Sequence, residues 1–287
     1  NGHQMDIRKL KTNSYMPIHF TKMHGAGNDF IVIDNRIYQL NDAAAAQFAK
    51  QVCHRRFGIG ADGILLLDSG RHADFQMRYY NADGSRSFCA NGARCLARFA
   101  YHRGMVGKAM IFEADDGRHE AVIVGREVRL HMTDPAMVAL NRTITAYPRA
   151  ETVHSINTGT QHAVLHSDDV MQEDVVHHGR VLRQHSLFQP LGTNVNFVQT
   201  MDTSRIAVRT YEKGVEAETL SCGTGAVAAV AVMTLLDEIE PPVMVHTLSG
   251  ETFCVNFTRN GSVIRGVTLE GSAHIAYDGE FLEENVD

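Results

Sequence analysis

The sequence predicts an α+β fold of two pseudo-symmetric halves, each a barrel-like curved sheet around one central apolar helix. Three observations lead there. Short apolar or alternating runs bounded by Gly, Asp and Asn recur in both halves of the 287 residues and read as strands. Two stretches, Ser87-Phe88-Cys89-Ala90-Asn91-Gly92-Ala93-Arg94-Cys95 and Leu220-Ser221-Cys222-Gly223-Thr224-Gly225-Ala226, each place a cysteine and a glycine-rich turn ahead of an apolar helix-forming run. Matches between the halves also keep a nearly constant offset: 132 positions for Gly27 with Gly159 and for Gly60 with Gly192, 133 for Cys89 with Cys222, and 131 for Arg78-Tyr79-Tyr80-Asn81 with Arg209-Thr210-Tyr211-Glu212. Collinear matches at one spacing point to an internal duplication.

In chain order, residues 1–16 are polar and aperiodic and read as an extension that is disordered or artificial. The N-terminal half is expected to span 17–134 plus 272–287, and the C-terminal half 135–271, with the active site in the cleft where the two helix mouths face each other. Ile18-His19-Phe20 begins a strand, followed by a Gly-rich loop and a strand over 30–34. Asn41 can cap an alanine-rich helix over 41–52. A Gly-rich turn at 57–63 precedes strands over 64–68 and 75–80, and the first cysteine helix covers 91–103. Strands at 109–114, 119–124 and 126–132 are separated by Asp-Gly and Gly-Arg turns. The second half reads as strands near 152–156 and 162–167, a polar, His-rich stretch at 168–184, and strands at 196–199 and 206–211. Its cysteine helix, 224–236, is expected to be terminated by Pro241-Pro242. Strands at 243–247, 252–258 and 263–270 follow, and the tail 272–282 returns to the first half.

The net charge of −6 and the scattering of 27 Lys and Arg argue against a nucleic-acid surface, which should show a basic patch. No run approaches the roughly 18 apolar residues of a membrane span, and no apolar signal core opens the chain, so a cytoplasmic protein is expected. The five cysteines are an odd number without C-x-x-C spacing, which suggests neither a disulfide framework nor a zinc ribbon. Cys53, Cys95 and Cys254 read as structural. His177, His178 and His185 lack a ligand pattern such as H-E-x-x-H and read as solvated surface histidines, so no metal is expected.

Cys89 and Cys222 differ from the other three in lying at helix mouths. There, unpaired N–H groups and the helix dipole favour negative charge, so each thiol should ionise below the usual value of about 8.5. Taking a proton from one face of a carbon and returning it on the other needs a base and an acid on opposite sides. A thiolate and a thiol at facing mouths fit that task and exchange roles in the reverse direction. The surrounding N–H groups could hold a substrate carboxylate, so the chemistry needs neither pyridoxal phosphate nor metal. Two other readings stand beside it: a redox disulfide between Cys89 and Cys222, and structural cysteines inherited by duplication.

The motifs Met23-His24-Gly25-Ala26-Gly27-Asn28-Asp29-Phe30, Gly58-Ile59-Gly60-Ala61-Asp62-Gly63, Asn81-Ala82-Asp83-Gly84-Ser85, Cys89-x-Asn91-Gly92-Ala93-Arg94-Cys95 and Glu218-Thr219-x-x-Cys222-Gly223-Thr224-Gly225 together resemble the diaminopimelate epimerases. The resemblance runs from about Phe20 to Tyr277. It implies interconversion of LL- and meso-2,6-diaminopimelate, feeding lysine and peptidoglycan synthesis, by a homodimer with a small amino-acid substrate and no cofactor. It further implies that Cys89 and Cys222 are the acid–base pair, with His162 and Glu212 assisting proton movement. Asn28, Asn81 and Asn194 match residues that hold the distal end of the substrate, and the N–H groups around Ala90-Asn91 and Gly223-Thr224 would hold the reacting carboxylate. The sequence departs from the family pattern at Ala90, usually Gly, at Thr160, often Asn, at Lys213, commonly Arg, and in having three residues between Ser85 and Cys89. Glu212, Thr160 and Lys213 also fall among the expected substrate contacts. A related two-cysteine racemase of another amino acid and a non-catalytic or redox protein of the same fold are the alternatives.

Overall fold

The structure is a computed structural model and describes residues 17–146 and 150–282; the expected extension 1–16 lies outside the described residues. The chain forms two compact units, one holding the chain through Val128 together with the stretch from Ser272, the other Arg129–Gly271.

In the first unit, β1 (Ile18–Gly25) turns at Ala26-Gly27, both at positive φ, into antiparallel β2 (Asn28–Asp34). β1 continues as strand through Gly25, where a glycine-rich loop was expected after Phe20. Pairing holds it on both sides: Met23 meets Phe30 of β2, and the tail strand β17 (His274–Phe281) runs antiparallel along its other edge. After a single helical turn, α1 (Asn35–Tyr38), comes α2 (Asp42–Val52), capped by Asn41 as expected, whose Oδ1 accepts from Ala44 N at 2.9 Å. Ala45, Phe48, Ala49 and Val52 share one face of α2 and pack with Ile31, Ile33, Ile64 and Leu66. β3 (Gly63–Ser69) runs parallel to β2 and antiparallel to β4 (Phe75–Asn81). The cysteine helix α3 (Ala90–His102) follows, then β5 (Ala109–Ala114) and β6 (Gly117–Val124); β7 (Glu127–His131) carries the chain across the boundary at Val128 into the second unit. Strands β1, β2, β3, β4, β6 and β17 all touch α3, which explains why Ala93, Cys95, Leu96 and Ala97 are buried on every side of it.

The second unit repeats this scheme. β8 (Ala136–Thr145), which lacks an alternating pattern and was not expected, pairs antiparallel with β9 (Ala150–Asn157), and β9 with β10 (Gln161–His166). The polar stretch contains a helix, α4 (Val175–Arg183), in the place that α2 holds in the first unit. Asp174 caps it, and Val175, His178, Gly179 and Leu182 face inward, Val175 and Leu182 against Val195, Phe197 and Tyr211. His178 is therefore not a solvated histidine: its Nε2 lies 2.7 Å from Glu151 and its Nδ1 2.9 Å from Glu173. His177 is exposed and His185 half-buried.

β11 (Asn194–Asp202) runs parallel to β10, and β12 (Arg205–Glu212) antiparallel to β11. A short strand, β13 (Ala217–Thr219), leads into the second cysteine helix, α5 (Gly223–Leu235). Pro241-Pro242 does not end that helix: it stops at Leu235, with Asp237 at φ 61°, and the prolines lie beyond, ahead of β14 (Val243–Thr247). β15 (Thr252–Asn260) and β16 (Val263–Ser272) complete the unit. β9, β10, β11, β12, β14 and β15 touch α5, whose residues from Gly225 to Thr234 are all buried, as in a helix at the centre of a closed core. The pairings correspond step for step: β2 with β3 and β10 with β11 parallel, β3 with β4 and β11 with β12 antiparallel, β4 with β5 and β12 with β14 parallel.

Candidate active site

Each cysteine is the N-cap of its helix in extended backbone, Cys89 at φ −136°, ψ 114° and Cys222 at φ −133°, ψ 111°. The first turn of a helix leaves N–H groups without intrahelical partners, and here a sulfur takes one of them, as a serine or aspartate oxygen would. Gly92 N donates to Cys89 Sγ at 3.5 Å and Gly225 N to Cys222 Sγ at 3.4 Å; the Thr224 hydroxyl also lies 3.5 Å from Cys222 Sγ. A hydrogen bond and a helix dipole that both favour the charged sulfur are what an activated thiol requires. Both glycines sit where a side chain would meet a close neighbour. A Cβ on Gly92 would lie 2.9 Å from Leu65 Cδ2, and one on Gly225 2.4 Å from Asn196 Oδ1 and 3.2 Å from Cys222 Sγ. Ala90 begins α3 as Gly223 begins α5, so the alanine keeps its N–H in the first helical turn.

In the second unit, β10 and β11 set His162 beside Asn194 in register and Asn196 two residues on, facing the same side. His162 is fully buried, and Asn196 Nδ2 lies 3.0 Å from its Nδ1. Burial drives its pKa down to about 3 and the nearby Lys213 charge adds to the fall, so the ring is neutral. Burial likewise raises the pKa of Glu212, at the end of β12, while the Thr219 hydroxyl pulls it back in part. Asn194 Oδ1 accepts from Lys213 N at 2.8 Å and its Nδ2 donates to Gln161 O at 3.2 Å, so the Asn194 amide is tied to the backbone on both sides. Lys213 Nζ lies 3.4 Å from Leu191 O. Thr160 O accepts from Thr158 N, whose residue also donates through its hydroxyl to Thr224 O at 3.0 Å, linking that turn to the α5 mouth.

In the first unit a row of polar groups runs from α3 to the Gly-rich turn. Arg94, wholly buried, donates to Asn91 Oδ1 at 2.8 Å; Asn91 Nδ2 donates to Asn28 Oδ1 at 2.8 Å; Asn28 Nδ2 donates to Asp62 Oδ2 at 2.9 Å. A donor-only guanidinium at one end and an acceptor-only carboxylate at the other fix which way both amides face. Asp62 is itself held by Arg55, which also binds Asp29; against the partial burial of Asp29, which raises its carboxyl pKa, Arg55 and Lys22 draw it below the usual value. Asn81 closes on its own loop, its Nδ2 within 3.2 Å of Ser85 and Ser87 oxygens.

The profile of one family, described as diaminopimelate epimerase, matches residues 20–138 and 154–273, one stretch in each half. The chain belongs to the diaminopimelate epimerase family. A protein named diaminopimelate epimerase from Aquifex aeolicus is 40% identical over 92% of this chain and 98% of its own. One of the same name from Chlorobaculum tepidum is 40% identical over 90% and 98%. Among solved structures, a phenazine biosynthesis protein of the PhzF family from Bacillus anthracis shares the fold at a TM-score of 0.70 and 14% identity, over 93% of this chain and all of its own. A hydroxyproline epimerase from Agrobacterium vitis does so at 0.69 and 14%, over 94% of each chain. The family model and these 40%-identical relatives make the chain an isomerase; the solved structures share its fold.

The remaining cysteines of this family member contrast with the two caps. Cys53 and Cys95 are buried, and burial pushes the Cys53 thiol up to about 12. Cys254 is half-buried, its thiol also raised by burial and then by Glu270. Sequence reading missed Asn196, Asp62 and Arg94 as parts of the site. Two signals were present: Asn194-Val195-Asn196 puts two amides on one face of a strand, and Arg94 is a charge inside an otherwise apolar helical turn.

Proposed function

We propose that the chain interconverts LL- and meso-2,6-diaminopimelate by two-base proton transfer at the α-carbon, with Cys89 and Cys222 as the acid–base pair. The observation that carries this reading is the pair of equivalent caps, in which each sulfur accepts an N–H at the mouth of a buried helix. One thiolate takes the α-proton from one face while the other thiol returns a proton to the opposite face, and the roles exchange for the reverse reaction. First-turn N–H groups of Ala90, Asn91, Gly223 and Thr224 hold the reacting carboxylate and offset the charge that develops beside it. Asn28, Asn81, Thr160, Asn194 and Lys213 hold the distal amino-acid end, Lys213 by charge without the two-pronged grip of an arginine. His162 and Glu212 assist the cysteines. His162, buried and neutral, can exchange a hydrogen bond with a sulfur without adding a second charge, and the partly buried Glu212 has its carboxyl pKa raised by desolvation. The same reading takes the protein as a cytoplasmic homodimer in lysine and peptidoglycan synthesis; among the described residues no helix is long and apolar enough to cross a membrane.

The test is incubation of reduced protein with LL-diaminopimelate and no added cofactor, with the isomers separated by chiral chromatography. Accumulation of the meso isomer to equilibrium is the expected result. Folded, reduced protein that leaves the LL isomer intact while racemising another amino acid would transfer the reading to a different substrate.

A further inference from the structure

The neighbourhood of His162 fixes more than its burial. Asn196 Nδ2 sits 3.0 Å from Ala163 O, a group that can only accept, and Thr210 Oγ1 donates to Asn196 Oδ1 at 3.0 Å. The amide of Asn196 is therefore oriented from both ends, with its nitrogen turned to the histidine. One of its two hydrogens goes to Ala163 O and the other to His162 Nδ1, 3.0 Å away. An imidazole nitrogen that accepts carries no proton, so in the neutral ring the proton is on Nε2. Nε2 is buried and has no hydrogen-bond partner among the described residues. A buried N–H without an acceptor is unfavourable, a penalty that an incoming anion removes. Asn196 Oδ1 also presses on the position a Gly225 Cβ would occupy, 2.4 Å away, so the residue that orients the histidine abuts the turn whose N–H caps Cys222.

We propose that Asn196, oriented by Ala163 and Thr210, is a positioning residue that holds His162 as the neutral Nε2–H tautomer, so that His162 serves the reaction as a hydrogen-bond donor to an anion and not as a proton-accepting base. The donor role rests on the epimerase reading above; the tautomer does not. Lys213 is the charge that bears on His162, and its sign disfavours a second proton on the ring.

The test combines 15N NMR of full-length protein labelled at histidine with steady-state kinetics. His162→Gln identifies the His162 signals by their disappearance. In the wild type, His162 is expected to show a protonated Nε2 and an unprotonated Nδ1, unchanged from pH 5 to 9. Asn196→Asp places an acceptor at Nδ1, moves the proton there and leaves Nε2 bare. It should lower kcat roughly 10²-fold near neutral pH with KM little changed. Both rates fall in acid as the thiolate is protonated, but the kcat of Asn196→Asp should fall less steeply than that of the wild type, because its imidazolium regains the Nε2–H. A wild-type ring protonated on Nδ1, or titrating within that range, overturns the assignment without any variant. A wild-type kcat and pH profile in Asn196→Asp would overturn the donor role. Wild-type protein that shows the Nε2–H tautomer but does not convert diaminopimelate would instead count against the substrate.

Discussion

Cys89 and Cys222 cap their helices with the same backbone, φ and ψ agreeing within a few degrees, and each sulfur accepts from the N–H of a glycine three residues on. The identity is of chemistry as well as shape. In both units the polar end of a buried helix offers its unpaired N–H groups to a thiol and, beyond it, to any anion brought near.

The two glycines should respond unequally to alanine. In Gly225→Ala the new methyl meets a fixed amide oxygen at 2.4 Å, which overpacking of this kind makes unfavourable by roughly 1–3 kcal/mol. In Gly92→Ala it meets the far end of Leu65 at 2.9 Å, a methyl that can rotate away. Thermal melts should show the larger fall in Tm for Gly225→Ala, by about 2–4 °C for each kcal/mol. Equal falls would mean that Asn196 is not held in place.

His162 should make stability depend on pH. Its folded pKa is depressed to about 3 while the unfolded chain titrates near 6.5, so between these values the unfolded state binds more protons. Its contribution is therefore intact above pH 6.5 and is lost as pH falls, by about 1.4 kcal/mol per unit well below 6.5. Urea unfolding at pH 7.5 and pH 5 should show a smaller difference in His162→Gln than in the wild type. An undiminished difference would place the acid sensitivity elsewhere.

Asp62 anchors the amide row, and Asp62→Asn sets a nitrogen or an uncharged oxygen against Asn28 where a carboxylate accepts at 2.9 Å. Losing that orientation should raise KM for diaminopimelate about tenfold, equivalent to about 1.4 kcal/mol of binding, with kcat within a factor of a few. The lost pairing with Arg55, whose side chain is 60% exposed, contributes little. A fall in kcat at constant KM would show that Asn28 acts at the reacting end.

Local patterns made the helix mouths legible. A capping side chain, a glycine turn and an apolar run lie within eleven residues, and the duplication displays the device twice. The strands flanking them were legible from alternation and turn residues. α4 was hidden because its inward face includes His178, held by Glu151 of β9, so the polar surface masked the spacing of Val175, Gly179 and Leu182. Asn196, Asp62 and Arg94 were hidden for a related reason. Each has a partner far along the chain, Asn28 for Asp62, His162 for Asn196 and Ser272 O for Arg94, and such long-range buried hydrogen bonds leave no local periodicity to read.

Whether two cysteines share one proton transfer is tested by following LL-diaminopimelate in D2O with wild type, Cys89→Ala and Cys222→Ala, by NMR of the α-position and chiral chromatography. Wild type should yield meso product carrying solvent deuterium, and each variant, folded by circular dichroism, should lose interconversion by about 10³-fold or more. Either single variant turning over at the wild-type rate would contradict the two-base mechanism.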